Sequence, residues 1–460
     1  MISSKEIYNV LASIVPLYVP MILAYGSVCW WKIFTPEQCS GINRFVAVFA
    51  VPFLNFHFLA FANPYAMNMR FIAADTLQKV VILGGLFVWS TFTKWGSLDL
   101  TLTLFSLSAL PNTVVVGVPL ITAMYGESSA SLMSQIFVMQ GVVWITLMLV
   151  LYEYRAAKRL IAKRFPDNGA SIASLTVDSD VSSLDATLDL HSHAQLTHNG
   201  DLHVTLRSPS FHYACNSSVV QRASSFNTTR DLQRPKIHDH RNCIPFPDAV
   251  KHEESIDVSI CPKAMEVKEV DIAVDSIKEV KIEEGNANKK PQMPRASVMT
   301  KLTLTMVSRN LMKNPNTYAC VLGLAWSLIS FRWNIKMPSI VDGSIVILSK
   351  TGTGMAMFSL GLFMALQPKT VAGGKTWAAI ALVARFLVGP TVIAVTSFLI
   401  GVRGVLFRVA IVQAALPQAI ISFVFAKEYN LHADILSTAV ILGTVISLPV
   451  TIVYFVFLGL

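Results

Sequence analysis

Two short stretches of this 460-residue chain set polar groups into otherwise apolar surroundings. Ser108–Leu120 reads SALPNTVVVGVPL, and Ala414–Phe425 reads AALPQAIISFVF. Each places a proline directly before a side-chain amide, as Pro111–Asn112 and Pro417–Gln418. A proline inside a membrane span frees backbone groups that hydrocarbon cannot satisfy, so such a break persists only where protein buries it or where it lines a cavity. A single proline kink is common in membrane helices. A matched pair at corresponding places in two halves of a chain points instead to a binding site near the middle of the bilayer.

Ionisable groups within apolar runs are few, and each is a functional candidate because it costs about 3 kcal/mol by insertion scales. Asp75 and Lys79 are four residues apart, hence on one helix face, where each neutralises the other as a structural brace or as part of a site. His57 reads as a packed or interfacial histidine, and Lys350 and Arg385 as residues that reach toward an interface. No GxSxG, HExxH or Walker loop occurs in the apolar body, so an enzyme or an ATP-driven pump is not indicated and no cofactor is expected. The six cysteines have no CxxC or zinc spacing, and the His191/His193 and His238/His240 pairs are poor metal candidates, so no metal is expected.

These groups must be positioned by membrane helices. Apolar residues make up 53% of the chain and charged residues only 14%, far from an ordinary soluble domain. Runs of about 20 apolar residues, the length that spans a bilayer, recur at 7–29, 40–60, 71–91, 101–123 and 132–152, then at 315–334, 343–365, 377–399, 405–425 and 434–457. The expected organisation is a five-helix membrane repeat over 1–154, a largely disordered cytosolic loop over 155–300, and a second five-helix repeat over 301–460. Residues 165–297 hold 19 of the 28 acids and 14 of the 37 bases, which leaves the rest with a surplus of 14 positive charges. The overall charge of +9 therefore describes a basic-flanked membrane body with an acidic insert, not a nucleic-acid binder. Arg155, Lys158, Arg159, Lys163 and Arg164 leave the fifth span, while Lys289, Lys290, Arg295, Lys301, Arg309 and Lys313 precede the sixth. This bias puts the loop in the cytosol and, with five spans on each side, both termini outside. The acceptor patterns at Asn216 and Asn227 would then stay unglycosylated, while Ser224 and Ser297, each following Arg-Ala, are candidate sites for protein kinases acting on the loop.

The sequence resembles the PIN-FORMED auxin efflux carriers through long stretches of both halves. Among them are VPLYVPMILAYGSVCWWKIF from Val15, NPYAMNMRFIAADTLQK from Asn63 and LPNTVVVGVPL from Leu110, then NPNTYACVLGLAWSLISFRWNI from Asn314, GMAMFSLGLFMALQP from Gly354 and FVFAKEYNLHADILSTAVILGTVISLP from Phe423. The resemblance implies an all-α integral membrane protein of ten transmembrane helices, arranged as two inverted five-helix repeats with broken, crossing helices four and nine. It also implies a homodimer in the lipid bilayer and elevator-type export of indole-3-acetate and related small organic anions, without a coupled ion gradient. Plasma membrane is the expected location, with endoplasmic reticulum as the alternative. Substrate-binding positions carry over to Val51, Asn112, Val114, Asn316, Gln418 and Ile420. The amides, with N–H groups at half-helix starts, suit a carboxylate, and the aliphatic side chains suit an indole. Asp75 and Lys79 fall in the support region where ion-coupled relatives hold their ion. The chain departs from the family pattern at Asn55, Ile145, Lys350, Ala419 and Ser422. The competing readings are an ion-coupled carrier of another organic anion in the same fold, or a membrane receptor or scaffold without transport.

Overall fold

The structure is a computed structural model that describes residues 4–94, 96–166, 169–179, 181, 184, 191–196, 202–207, 292–369 and 371–459. Ser224, Asn216, Asn227 and the His238/His240 pair lie outside the described residues. The described chain is mostly helical: α1 (Ser4–Cys29), α2 (Pro36–Phe45), α3 (Val51–Ala60), α4 (Met69–Phe92), α5 (Leu98–Ala109), α6 (Val118–Tyr125), α7 (Ser128–Met139) and α8 (Ile145–Arg164) precede the insert. After it come α9 (Ala296–Lys313), α10 (Pro315–Trp333), α11 (Ser339–Leu366), α12 (Lys375–Val383), α13 (Gly389–Ile400), α14 (Val405–Ala414), α15 (Ile420–Glu428) and α16 (Ala433–Gly459). Single π-helical turns join α2 to α3, α7 to α8 and α12 to α13, and another, Thr113–Gly117, leads into α6.

Local sequence explains where these helices start. Thr35 and Gln38 form a reciprocal capping box at α2, and Asn68, Ser97 and Asn314 accept first-turn N–H groups of α4, α5 and α10. Pro36 and Pro315 sit at first helical positions, where no N–H is required. Among the described residues, seven helical stretches are long and apolar enough to cross a membrane: Tyr8–Cys29, Pro36–Ala60, Met69–Phe92, Ser128–Arg164, Ser339–Leu366, Lys375–Ile400 and Ala433–Gly459. Their outward faces carry large apolar side chains such as Phe92, Leu399 and Phe457, 82%, 70% and 72% exposed, as a lipid-facing surface requires. The other three apolar runs are not single long apolar helices. Those at 101–123 and 405–425 are divided among shorter segments, and α10 carries Asn316, Thr317, Ser327, Ser330 and Arg332 within its 19 residues.

Packing sorts the helices into two groups, which meet most closely where α1 lies on α6. One comprises α1, α2, α3, α10 and α11; in the other, α4 packs with α5 and α13, α6 with α7, α8 with α9, and α12, α14 and α15 with α16. At Gly361 of α11 an added Cβ would lie 2.1 Å from the carbonyl oxygen of Met21, so only glycine lets α11 lie this close to α1. The main core draws on both halves of the chain, with Leu107, Val116, Ile121 and Met133 packed among Met357, Leu360, Ala410, Leu416, Phe423 and Leu436.

Within the segment expected to be largely disordered, 155–300, the described residues include folded elements. Helix α8 continues to Arg164 and α9 begins at Ala296. Between them β1 (Ile172–Val177), β2 (His191–Leu196) and β3 (Leu202–Arg207) form a sheet in the order β1-β3-β2, parallel between β1 and β3 and antiparallel between β3 and β2. The polar composition concealed a period-two pattern: Leu202, Val204 and Leu206 all point inward, onto a core with Leu160, Ile161, Leu302 and Met306. Arg309 of α9 ties the sheet edge down by donating to the carbonyls of Asp178 and Val177 at 2.7 and 2.8 Å.

Candidate transport site

Pro111 and Pro417 lack the N–H that would extend a helix through them. Helix α5 stops at Ala109 and α14 at Ala414, and the chain becomes helical again at Thr113 and at Ile420. The two non-helical stretches lie antiparallel. The Asn112 N–H donates to the Pro417 carbonyl at 2.8 Å, the Ala419 N–H donates to the Leu110 carbonyl at 3.1 Å, and the bridge centres on Pro111 and Gln418. Each interruption thus satisfies backbone groups of the other, in a region where water does not do so.

Side chains cover the carbonyls that remain. Gln140 Nε2 donates to the Pro111 oxygen at 2.8 Å, and the Thr113 hydroxyl fixes that amide by donating to Gln140 Oε1 at 3.0 Å. Gln418, only 1% exposed, donates from Nε2 to the Ser106 oxygen at 2.6 Å, and its buried Oε1 has no protein partner. Arg385 donates to the Leu416 and Leu107 oxygens. Helix α13 reaches this place because Gly389 has no side chain, a Cβ there lying 2.9 Å from the Ser108 oxygen. The helical starts beyond the breaks differ from the ends: neither Asn112 nor Ala419 makes a side-chain cap. Val114 is buried in the first turn after one break, and half-buried Ile420 opens α15 after the other.

The sequence-derived site residues fall into two sets. Asn112, Val114, Gln418 and Ile420 belong to the crossing. Val51 opens α3, and Asn55, one turn further along, donates from Nδ2 to Oδ1 of Asn316 in the first turn of α10 at 3.2 Å. These last residues sit in the α1, α3, α10 and α11 group, and α11 touches both α3 and the Thr113–Gly117 turn. Asp75 and Lys79 form a buried ion pair in α4. The pair reaches the crossing through Gln413, in the last turn of α14, whose Nε2 donates to Asp75 Oδ1 at 3.2 Å. Lys79 Nζ lies 5.8 Å from the Trp144 ring centre. Gln78, one position earlier, donates to the Gly389 oxygen at 2.9 Å. His57 packs against Phe58 and Phe61, with ring centres 5.7 and 4.8 Å away, and Lys350 is exposed on α11. Arg385 corrects its expected placement: it is 3% exposed and directed into the crossing, because the carbonyls there offer acceptors that an interface position would not.

The family described as "Membrane transport protein" matches residues 9–455, a span that includes both interruptions and the charged pair. Among curated proteins, "Auxin efflux carrier component 2" of Arabidopsis thaliana is 41% identical, "Probable auxin efflux carrier component 1c" of Oryza sativa subsp. japonica 43%, and "Auxin efflux carrier component 1" of Arabidopsis thaliana 41%. Each alignment covers 100% of this chain and 100% of the relative. The chain belongs to the PIN-FORMED auxin efflux carrier family.

A second polar cluster of this PIN-FORMED chain, which sequence reasoning did not assemble, joins the second half of α8 and the last turn of α9 to the turn after α15. Arg155 donates to Asp99 Oδ1 and Oδ2 at 2.6 and 3.0 Å and to the Tyr429 carbonyl at 2.7 Å, and Arg159 reaches Asp99 Oδ2 at 2.9 Å. Glu153 Oε1 accepts from Asn310 Nδ2 and from the Tyr429 hydroxyl, both at 2.7 Å. Burial, with Glu153 and Glu428 nearby, pushes the Tyr429 phenol well above its ordinary value. His432 Nδ1 lies 2.9 Å from the Thr103 hydroxyl, and burial holds its imidazole below the usual range, the Asp99 charge opposing this and Arg155 and Arg159 adding to it. The bases near the insert were legible in the sequence, but their acceptors are distant in the chain.

Proposed function

We propose that this chain exports the indole-3-acetate anion and related small organic anions across the plasma membrane by elevator-type alternating access. In this reading ten spans form two inverted five-helix repeats; α5 with α6 and α14 with α15 are the broken spans four and nine that cross. The insert faces the cytosol, where protein kinases reach it, both termini lie outside, and two chains assemble as a homodimer.

The observation that carries the reading is the reciprocal backbone pairing of Leu110–Asn112 with Pro417–Ala419, beside two helix starts that no side chain caps. Such starts carry the positive ends of helix dipoles, and with the amides of Asn112, Gln418 and Asn316 they suit a carboxylate. Val51, Val114 and Ile420 supply aliphatic surface for the indole. The division of helices into two packing groups suits one group moving past the other, with the crossing in the moving part. An anion leaving a cell that is negative inside gains about 2.3 kcal/mol per 100 mV, a sufficient driving force without a coupled cation. The test is efflux of radiolabelled indole-3-acetate from cells expressing the chain, with sodium, proton and potential gradients imposed separately. Export above that of control cells that follows the potential alone is the expected result. Export no faster than in control cells overturns the reading, and export that follows sodium or protons overturns the uncoupled mechanism.

A further inference from the structure

Arg385 lies in the π-turn Ala384–Val388 between α12 and α13, 3% exposed. Its guanidinium donates from Nε to the Leu416 oxygen at 2.5 Å and from Nη1 to the Leu107 oxygen at 3.4 Å, while Nη2 is buried without a protein partner. Among the described residues no carboxylate lies within ion-pair distance of it. The nearby Asp75 is already engaged by Lys79 and Gln413. A buried guanidinium without a carboxylate is expensive unless something else carries the compensating negative charge.

The two acceptors identify it. Leu107 is in the last turn of α5 and Leu416 lies just past the end of α14, so the cation sits between the C-terminal ends of two half-helices that meet at the crossing. Each helix end carries about half an elementary negative charge, so two together come to about one, which a single guanidinium balances. Among the described contacts, the charge between these ends is supplied by a side chain that travels with the protein.

Resting on the reading of the crossing as the transport site, we infer that Arg385 is a resident counter-cation for the α5 and α14 ends, a positioning residue that frees the crossing from any need to take up a soluble cation. Two consequences follow. Charge at residue 385 matters more than hydrogen-bonding capacity, so Arg385→Lys retains more function than Arg385→Gln. Removing the cation also leaves a negative cavity, so Arg385→Ala becomes responsive to small cations that do not affect the native chain.

The experiment uses the full chain in two assays. The first is indole-3-acetate efflux by wild type, Arg385→Lys, Arg385→Gln and Arg385→Ala at matched surface expression. The second is thermal stability of each purified protein in millimolar methylguanidinium, sodium or choline. The expected result is efflux reduced about tenfold or more in the Gln and Ala variants and several-fold less severely in the Lys variant, an energetic difference on the order of 1.4 kcal/mol per factor of ten. Stabilisation of Arg385→Ala by methylguanidinium or sodium, with no response to choline and none in wild type, is expected alongside. Should Arg385→Ala fail to fold, the Lys and Gln variants decide. A Lys variant as defective as the Gln variant, or Ala and Gln variants indifferent to every cation, overturns the inference. Failure of the transport-site reading looks different: Asn112→Ala and Gln418→Ala export normally while the cation response of Arg385→Ala stability persists.

Discussion

Asp75 and Lys79 can be separated by a double-mutant cycle. Both side chains are buried in α4, paired with each other, and Asp75 also accepts from Gln413 at 3.2 Å. Asp75→Asn leaves the Lys79 ammonium buried without a counter-charge, with a neutral amide at 75 and the Trp144 ring, 5.8 Å away, as its favourable neighbours. Lys79→Met leaves the Asp75 carboxylate with one amide donor. Breaking a buried pair from one side costs about 3–5 kcal/mol because the remaining charge is uncompensated, whereas replacing both partners is often close to neutral. Two independent residues would therefore give a double variant about 6–10 kcal/mol less stable, and a paired brace gives one within about 2 kcal/mol of wild type. Asp75→Asn/Lys79→Met keeps an amide acceptor for Gln413, so the link to the end of α14 survives. The assay is thermal stability of the four purified chains, with efflux at matched expression at two external pH values and two sodium concentrations. A double variant no better than the worse single, together with wild-type transport that follows sodium or protons at clamped potential, refutes the brace and makes the pair a coupling site.

Three further outcomes are expected. Asn112→Ala and Gln418→Ala each lower efflux about tenfold or more at unchanged surface expression, Gln418→Ala also leaving the buried Ser106 carbonyl without its donor at about 1–3 kcal/mol; wild-type efflux in both refutes the site assignment. Mass spectrometry of the chain from plant cells is expected to find phosphate on Ser297, exposed in the first turn of α9, and no glycan on Asn216 or Asn227, whereas glycan at either asparagine would show the insert on the outer side. His432 is held in its neutral form by burial, so its contribution to stability is complete above the ordinary imidazole value of about 6.5 and is lost as pH falls below it. Melting of the purified chain measured from about pH 8 to pH 5 should show this acid loss, and His432→Gln should flatten it; an unchanged profile in the variant assigns the loss to other groups.

The parts of the fold that were legible in sequence are those set by local chemistry. The lengths of the apolar runs and the prolines that stop α5 and α14 can be read from short windows. The pairing of Asp75 with Lys79 follows from their spacing on one helix. What stayed hidden depends on contacts distant in the chain. Arg385 looks like an ordinary interfacial arginine until α12 and α13 set it beside Leu107 and Leu416. Gln78, Gln140 and Gln413 drew no attention because they are uncharged, although a buried amide among apolar neighbours carries its own desolvation penalty and needs a partner. The sheet in the insert was missed for another reason: the composition of the whole segment averaged away a strand of six residues whose alternate side chains are apolar.

Each interruption also draws its hydrogen-bond partners from the other half of the chain. Each proline leaves backbone groups that a lone half would have to bury unsatisfied, at about 1–3 kcal/mol apiece. The partners lie across the insert: Asn112 N–H meets the Pro417 oxygen, Ala419 N–H meets the Leu110 oxygen, Gln418 serves Ser106, and Arg385 serves Leu107. The dependence is mutual, with Leu110 and Pro417 supplying acceptors in opposite directions. A crossing built this way keeps the same set of hydrogen bonds if α5, α6, α12, α13, α14 and α15 move as one body, because every donor and acceptor named belongs to the same packing group. Displacement of that group past α1, α3, α10 and α11 then leaves the internal bonds of the crossing intact. Only the contacts to the other group, such as those of α11 with the Thr113–Gly117 turn and of α1 with α6, must be exchanged. Under the proposed elevator reading, self-contained hydrogen bonding at the broken helices is the physical condition for moving the crossing through a bilayer without exposing unsatisfied backbone to hydrocarbon.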